Sequence, residues 1–285
     1  MEAFLEEFGS ELLERLEVQV LAELLQKPDA SPTAAVQRLL QTRETPPQEK
    51  EPLDSSGNNN TSNAGNHAWF TMFPLVELAS LTPAAQQAKL IEFVAQLQKT
   101  PVIDPVTGRP LTAAEDLKLW TDLPYLRIYL ADRSGFRYVK KDYPEAEEYP
   151  PAEVREWENR TAFMAQLTAA ADALGHPMDF SLYGLYACRS AFEEEDEPVE
   201  EAVRAACIWF LYAGARMWEN CQARRRFGDN PEDPRYFDLP RWRRWEEGLQ
   251  AARREFRRQS TQELIQTALT ELERAQQRDM LRRLP

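Results

Sequence analysis

The 285-residue chain has 43% hydrophobic residues and a net charge of −13. A strongly acidic protein repels polyanions, which excludes nucleic acid and anionic membrane surfaces as default partners. Three cysteines without CxxC spacing argue against a disulfide framework and a zinc site. No run of 18 apolar residues occurs, and the acidic start lacks the positive region of a signal peptide. We therefore expect a cytoplasmic protein without a membrane span, with a nuclear location left open.

Apolar residues recur at helical intervals through most of the chain, and strand alternation is nearly absent. This pattern predicts helices over 3–26 and 31–40, the second opened by Ser31 and Pro32 as N-cap and N1. Residues 41–66 contain almost no apolar side chains and many Pro, Ser, Asn and Gly. This composition predicts a disordered linker or insertion.

Eight more helices are predicted after the insertion. Pro74 is expected to interrupt the first of them. Thr112 and Glu115 form a capping box for the third, which Pro124 is expected to kink or divide. In chain order the eight helices cover residues 67–81, 83–98, 113–133, 153–174, 182–192, 198–222, 240–258 and 260–282.

The helix at 198–222 is apolar on every side from Ala205 to Ala215, which is typical of a helix enclosed by other helices. We therefore expect an all-α fold, a single globular domain of nine or ten helices around this central helix. The main domain is assigned to residues 67–285, and the N-terminal helices in residues 1–40 are expected to pack on it.

Three motifs follow one another along the chain: LKLWTDLPYL at 117–126, EVREWENRTAFMAQLTAA at 153–170 and RAACIWFLYAGARMWENC at 204–221. Together they resemble a family of filamentous-fungal proteins known as a domain of unknown function. The resemblance covers roughly residues 67–275. It implies a fungal source and an all-α fold, and it assigns no catalytic residue. Genes of this kind are sometimes found beside fungal specialised-metabolite genes.

One candidate site lies on the predicted helix at 153–174. Arg160 falls between two apolar stripes there and is within i,i+4 reach of Glu156. A cation at the bottom of an aromatic pocket could hold a carboxylate or an enolate. The alternative, which we favour, is a structural ion pair or an arginine that binds the last carbonyls of a neighbouring helix.

The central helix offers a second candidate site. Arg204 and Arg216 flank its apolar centre, with Glu201 and Glu219 as plausible partners. Both arginines could line a pocket, but we favour the alternative that they are polar ends of a buried helix. The predicted pocket for a ligand or partner contains Trp157, Asn159, Arg160, Phe163, Trp209, Tyr212 and Arg216.

Other polar residues are interpreted without chemistry. The acidic run 193–197 precedes a helix start, where carboxylates are favourable, and its adjacent positions diverge too much for a metal site. His67 lies at the edge of the predicted insertion and His176 in a predicted loop, so neither is expected to act as a general base. The segment 241–258 contains seven Arg and three Glu. We expect it to dock on acidic surface at 145–148 or 193–197, or on a partner, rather than on nucleic acid.

No phosphate-binding loop, HExxH or GxSxG motif occurs, and no cofactor or metal is expected. The sequence therefore favours a non-enzymatic helical binding or scaffold protein. The alternative is a cofactor-independent enzyme or accessory factor in fungal specialised-metabolite biosynthesis, with an aromatic and Arg-lined small-molecule pocket. The partner would be a protein or a small apolar or anionic molecule, and the oligomeric state is left open.

Overall fold

The computed structural model describes residues 14–42, 63–113, 116–132, 150–193, 199–230 and 232–282. The described residues form ten α-helices and one short 3-10 helix at Ala84–Gln86, so the all-α prediction is confirmed. The helices are α1 Leu16–Gln26, α2 Pro32–Thr42, α3 Asn63–Leu81, α4 Ala88–Gln98, α5 Leu126–Asp132, α6 Pro151–Ala170, α7 Ser181–Phe192, α8 Glu200–Ala223, α9 Leu239–Glu255 and α10 Gln259–Arg282. None of these helices has both the length and the hydropathy that a membrane span requires.

The chain divides into two compact units, Met1–Gly135 and Phe136–Pro285. In the first unit α1 packs against α2, α3 and α4, and α5 packs against α3. Their shared core contains the fully buried side chains of Leu21, Leu39 and Phe93. The structure thus groups α1 and α2 with α3 to α5, whereas the sequence alone assigns residues 67–285 to one main domain.

In the second unit α8 is the central helix, as predicted, and it packs against α6, α7, α9 and α10. Side chains on every side of α8 are buried, because each neighbouring helix covers a different part of its surface. The three cysteines are free and buried, and burial raises the pKa of each thiol. They therefore act as small apolar side chains rather than as nucleophiles.

The predicted helix at 113–133 is wrong over its first half. Thr112 pairs with Lys118 in an antiparallel β-bridge instead of capping a helix, and α5 begins only at Leu126. Glu115 lies outside the described residues. Four nearby residues have positive φ angles of 60°, 68°, 48° and 68°, which a right-handed helix cannot contain: Asp116, Trp120, Leu123 and Tyr125.

Helix α3 differs from its prediction in two ways. It begins at Asn63 rather than at residue 67, and it continues through Pro74 without a break. A proline inside a helix costs about 3 kcal/mol, but the side chains around it, including Leu75 and Val76, are fully buried. Burial of this face therefore outweighs the lost hydrogen bond. Residues 43–62 of the predicted insertion and residues 3–13 of the first predicted helix lie outside the described residues.

Candidate functional site

The predicted pocket residues lie on two neighbouring helices, α6 and α8. On α6 the side chains of Trp157, Arg160 and Phe163 are buried and Asn159 is half-buried. On α8 Trp209 is buried and Tyr212 is half-buried, and burial raises the pKa of Tyr212. The seventh residue, Arg216, lies on the same helix as these last two.

An ion pair and a hydrogen bond fix how α6 and α8 lie against each other. Nε of Arg204 donates to Oε1 of Glu158 at 2.6 Å, and Nη2 donates to Oε2 at 2.9 Å. Further along, Arg216 donates to the carbonyl of Ala171, just after α6 ends. These partners are 46 and 45 positions apart in the chain, so the two helices run parallel.

The contact of Arg204 with Glu158 and that of Arg216 with Ala171 therefore lie at different heights along α8. Arg160 precedes Ala171 by eleven residues, which corresponds to about 16 Å along a helix. Arg216 ends at the level of Ala171, so it does not share a level with Arg160. The ion pair of Arg216 with Glu219, at 3.5 Å, is confirmed, whereas the partner of Arg204 is Glu158 and not Glu201.

The ring of Trp209 packs directly on α7. A Cβ atom placed on Gly184 would lie 2.8 Å from Cε3 of Trp209, closer than real side chains approach. Glycine at this position lets α7 and α8 come together, and the indole faces protein there. The pocket that the sequence predicts around Trp209 and Arg160 stays a prediction.

A buried carboxylate joins the ends of several elements in the second unit. Asp179 accepts hydrogen bonds from the backbone N–H groups of Gly175 and Ser181, each at 3.0 Å. The Ser181 hydroxyl and Nη1 of Arg225 also donate to it, each at 2.5 Å. Burial raises the pKa of Asp179, but these four donors outweigh it and hold that pKa below its ordinary value. Asp179 therefore stabilises the start of α7 and the chain after α8.

The Arg-rich helix α9 docks on the end of α7, as one of the predictions proposed. Arg241 pairs with Glu193 at 3.3 Å, and the indole N–H of Trp245 donates to the same carboxylate at 2.8 Å. Arg244 donates to the carbonyl of Phe192 at 3.1 Å. Residues 194–197 and 145–148, the other acidic positions considered, lie outside the described residues.

The first unit contains a buried acid–imidazole pair that sequence reasoning did not single out. Nδ1 of His67 on α3 lies 3.0 Å from Oε1 of Glu17 on α1, and both residues are buried. Burial raises the pKa of Glu17, but the hydrogen bond and charge of His67, together with Arg15, lower it below its ordinary value. Glu17 is therefore ionised at neutral pH and accepts the Nδ1–H of His67.

The imidazole of His67 also contacts residues 116–125, the segment before α5, here called the connecting segment. It packs edge to face on Trp120, with ring centroids 5.2 Å apart. Its Nε2 is buried and makes no hydrogen bond to any described atom. His176, the other histidine, accepts a hydrogen bond from the N–H of Met178 at 3.2 Å and stabilises its loop.

The Glu17–His67 pair gives a pH-dependent prediction. Because the pKa of Glu17 is lowered from 4.5, the stability it adds is present above pH 4.5 and is lost as the pH falls through the folded value. We expect Glu17→Gln to lower the free energy of unfolding by about 1–3 kcal/mol at neutral pH. Urea unfolding of the two proteins should show this difference shrinking below pH 4.5. The exposed control Glu92→Gln should change the free energy of unfolding little, and by the same amount at neutral pH and below pH 4.5.

Aromatic side chains of α3, of α5 and of the residue just before α5 form a surface on the first unit, here called the aromatic surface: Trp69, Phe73, Tyr125 and Tyr129. Trp69 stacks on Phe73 with centroids 5.3 Å apart and planes at 20°. Tyr129 meets both rings edge to face, at 6.1 Å and 5.4 Å. Trp69 is nevertheless 37% exposed and the neighbouring Ile128 is 48% exposed, so the surface reaches solvent.

One member of the aromatic surface, Tyr125, has a strained backbone conformation. Tyr125 has a φ angle of 68°, and its ring lies 6.4 Å from that of Tyr129. A non-glycine residue in this region costs on the order of 1–3 kcal/mol and is found most often at functional sites. Three further residues of the same connecting segment share this feature. The aromatic surface is therefore the candidate functional site that the geometry favours.

Residues 72–249 match the family described as "Protein of unknown function (DUF3632)". The chain belongs to this family. No curated protein and no solved structure matches the chain. The DUF3632 match begins within α3, includes α4 to α8 and ends within α9.

The DUF3632 match contains only part of the first unit. Phe73, Tyr125 and Tyr129 of the aromatic surface lie inside it, whereas Trp69 of that surface and the pair of Glu17 and His67 precede it. The sequence contained a signal for the aromatic surface, because Trp69 and Phe73, like Tyr125 and Tyr129, are four residues apart. It contained none for the Glu17–His67 pair, whose members are 50 positions apart.

Proposed function

We propose that this DUF3632 protein is a non-enzymatic helical binding protein and that its aromatic surface binds an apolar segment of a protein partner. The observation that supports this most directly is Trp69, which is 37% exposed and yet fixed by stacking on Phe73. Tryptophan and tyrosine supply much of the binding energy at protein interfaces. A ring that is already ordered loses little entropy when a partner covers it.

The backbone conformation of the connecting segment supports the same proposal. Tyr125 adopts a φ of 68°, and its ring centroid lies 6.4 Å from that of Tyr129. The rings of both tyrosines can contact the apolar side chains of a bound segment. A surface that combines exposed rings with fixed geometry suits a segment that becomes ordered only on binding.

The test compares two exposed aromatic residues. Trp69 is 37% exposed on the first unit and Tyr186 is 38% exposed on the second. The wild-type chain would be immobilised, the proteins it retains from an extract identified, and the affinity of each purified candidate measured by calorimetry. We expect Trp69→Ala to weaken binding of the partner by about thirtyfold, the effect of losing an interface hot spot of about 2 kcal/mol. Tyr186→Ala should leave this affinity unchanged.

Two results would contradict the proposed function. One is equal weakening by both substitutions, which would place the binding elsewhere. The other is sedimentation of the wild type as a dimer that Trp69→Ala converts to a monomer, because the surface would then join two copies of the chain.

A second candidate function is supported by burial of Arg160 within one turn of the buried Phe163. In this proposal α6 contributes to a small-molecule pocket of a cofactor-independent enzyme or accessory factor in fungal specialised metabolism, where the cation stabilises developing negative charge. Disruption of the gene, followed by comparison of metabolites, would test it. A lost compound with an accumulating precursor would support this function, and an unchanged profile would contradict it.

A further inference from the structure

Four arginines lie within six residues where α9 ends and α10 begins, and all four are exposed. We call this group, Arg253, Arg254, Arg257 and Arg258, the arginine corner. The whole chain has a net charge of −13, so the corner is a local reversal of sign. Glu255 is the one acidic residue between its first and last members.

Of the three other arginines of the Arg-rich segment, Arg241 and Arg244 already have partners within the second unit. Arg241 and Arg244 bind Glu193 and the carbonyl of Phe192, and this fixes α9 against α7. Within the corner, Arg258 forms an exposed pair with Glu200 at 3.4 Å. The other three corner arginines pair with no acid among the residues that the structure describes. Arg241 and Arg244 thus hold α9 in place, whereas Arg253, Arg254 and Arg257 are exposed and have no acidic partner among the described residues.

We propose that the arginine corner binds an acidic segment of a partner protein. A guanidinium presents a planar set of N–H donors that matches a carboxylate in two parallel hydrogen bonds. A single exposed ion pair contributes little, but several neighbouring arginines can bind several carboxylates of one segment together. Charge complementarity of this kind mainly increases the association rate and selects the partner. The corner lies in the second unit, so this proposal goes beyond the function proposed for the aromatic surface.

Nucleic acid fits the corner less well than an acidic peptide. Single-stranded nucleic acid binds through stacking of bases on exposed aromatic rings as well as through basic groups. The two tryptophans of α9, Trp242 and Trp245, are fully buried and cannot provide such stacking.

The experiment measures the fluorescence anisotropy of a labelled decaglutamate peptide with the full-length chain at about 20 mM salt. We expect the double variant R253E/R254E to bind this peptide at least about tenfold more weakly than the wild type. The control variant R109E/R278E changes the net charge equally at two exposed positions outside the corner. It should stay within about twofold of the wild type. Circular dichroism would confirm that both variants are folded.

The neutral variant R253Q/R254Q separates specific contacts from general charge effects, and it should lose an intermediate part of the affinity. Raising the salt should weaken binding to the wild type and narrow the difference between the variants, since exposed charges are screened. Equal losses in R253E/R254E and R109E/R278E would overturn the proposal. So would no binding of decaglutamate by the wild type, or tighter binding of a single-stranded DNA decamer than of decaglutamate.

Discussion

Replacing Asp179 with alanine is expected to lower the free energy of unfolding by about 3–5 kcal/mol. The carboxylate is completely buried and accepts hydrogen bonds from Gly175, Ser181 and Arg225. Its removal leaves a largely buried guanidinium without its counter-ion and the first turn of α7 without an acceptor. Urea unfolding of the wild type and Asp179→Ala at neutral pH would measure the difference.

The control and the pH dependence make this test specific. Asp229→Ala is the same substitution in an exposed loop of the second unit, and it should change stability by less than about 0.5 kcal/mol. The pKa of Asp179 is lowered from 3.8, so its contribution is fully present above pH 3.8 and is lost as the pH falls through the folded value. The difference between wild type and Asp179→Ala should therefore shrink in acid. A wild type and Asp179→Ala variant of equal stability at neutral pH would contradict a stabilising role for this carboxylate.

The central position of α8 was predictable because it depends on one stretch of sequence. An all-round apolar helix requires neighbours on every side, and the consecutive residues Ile208, Trp209 and Phe210, which point in different directions, are indeed all buried by the surrounding helices. The ion pair of Arg216 with Glu219 was predictable for the same reason, since its members are three residues apart. Periodicity and spacing within one helix contain this information.

Contacts between distant segments were not predictable in the same way. Arg204 could pair with Glu201 on its own helix, but the parallel packing of α6 and α8 brings Glu158 to it from 46 positions away. Asp179 likewise meets Arg225 only because the segments after α6 and after α8 end at the same side of the second unit. Such pairs depend on helix packing, which a single sequence does not specify.

The helix prediction for the segment before α5 was wrong for a different reason. Its residues have helical periodicity and a capping box, and these local preferences predict a helix. The structure instead places Trp120 at a φ of 68°, where its fully buried ring contacts His67. Burial of a large indole outweighs the local preference for helix, because burying such a side chain contributes several kcal/mol. The sequence pattern and the structure therefore disagree in the same segment that contributes Tyr125 to the aromatic surface.

Trp209→Ala is expected to lower the free energy of unfolding by about 3–5 kcal/mol, since a fully buried indole is lost and α7 cannot close the space. The close approach of Gly184 to the ring, 2.8 Å for a Cβ placed there, leaves no room for a larger residue. Gly184→Ala should consequently cost about 1–3 kcal/mol by overpacking. In the double variant Trp209→Ala with Gly184→Ala the added methyl group should fill part of the space, so the two losses should sum to more than the measured loss.

The exposed control for Trp209 is Tyr186→Ala on α7, where the side chain is 38% exposed and a loss of less than about 1 kcal/mol is expected. If Trp209→Ala cost no more than this control, Trp209 would not be part of the close-packed contact between α7 and α8. Its ring would then face an open pocket, as the sequence-based prediction for Trp157, Phe163 and Trp209 requires. Differential unfolding in urea thus decides between a structural and a ligand-binding role for this tryptophan, because a core residue and a pocket residue differ in stability cost by about 2 kcal/mol or more.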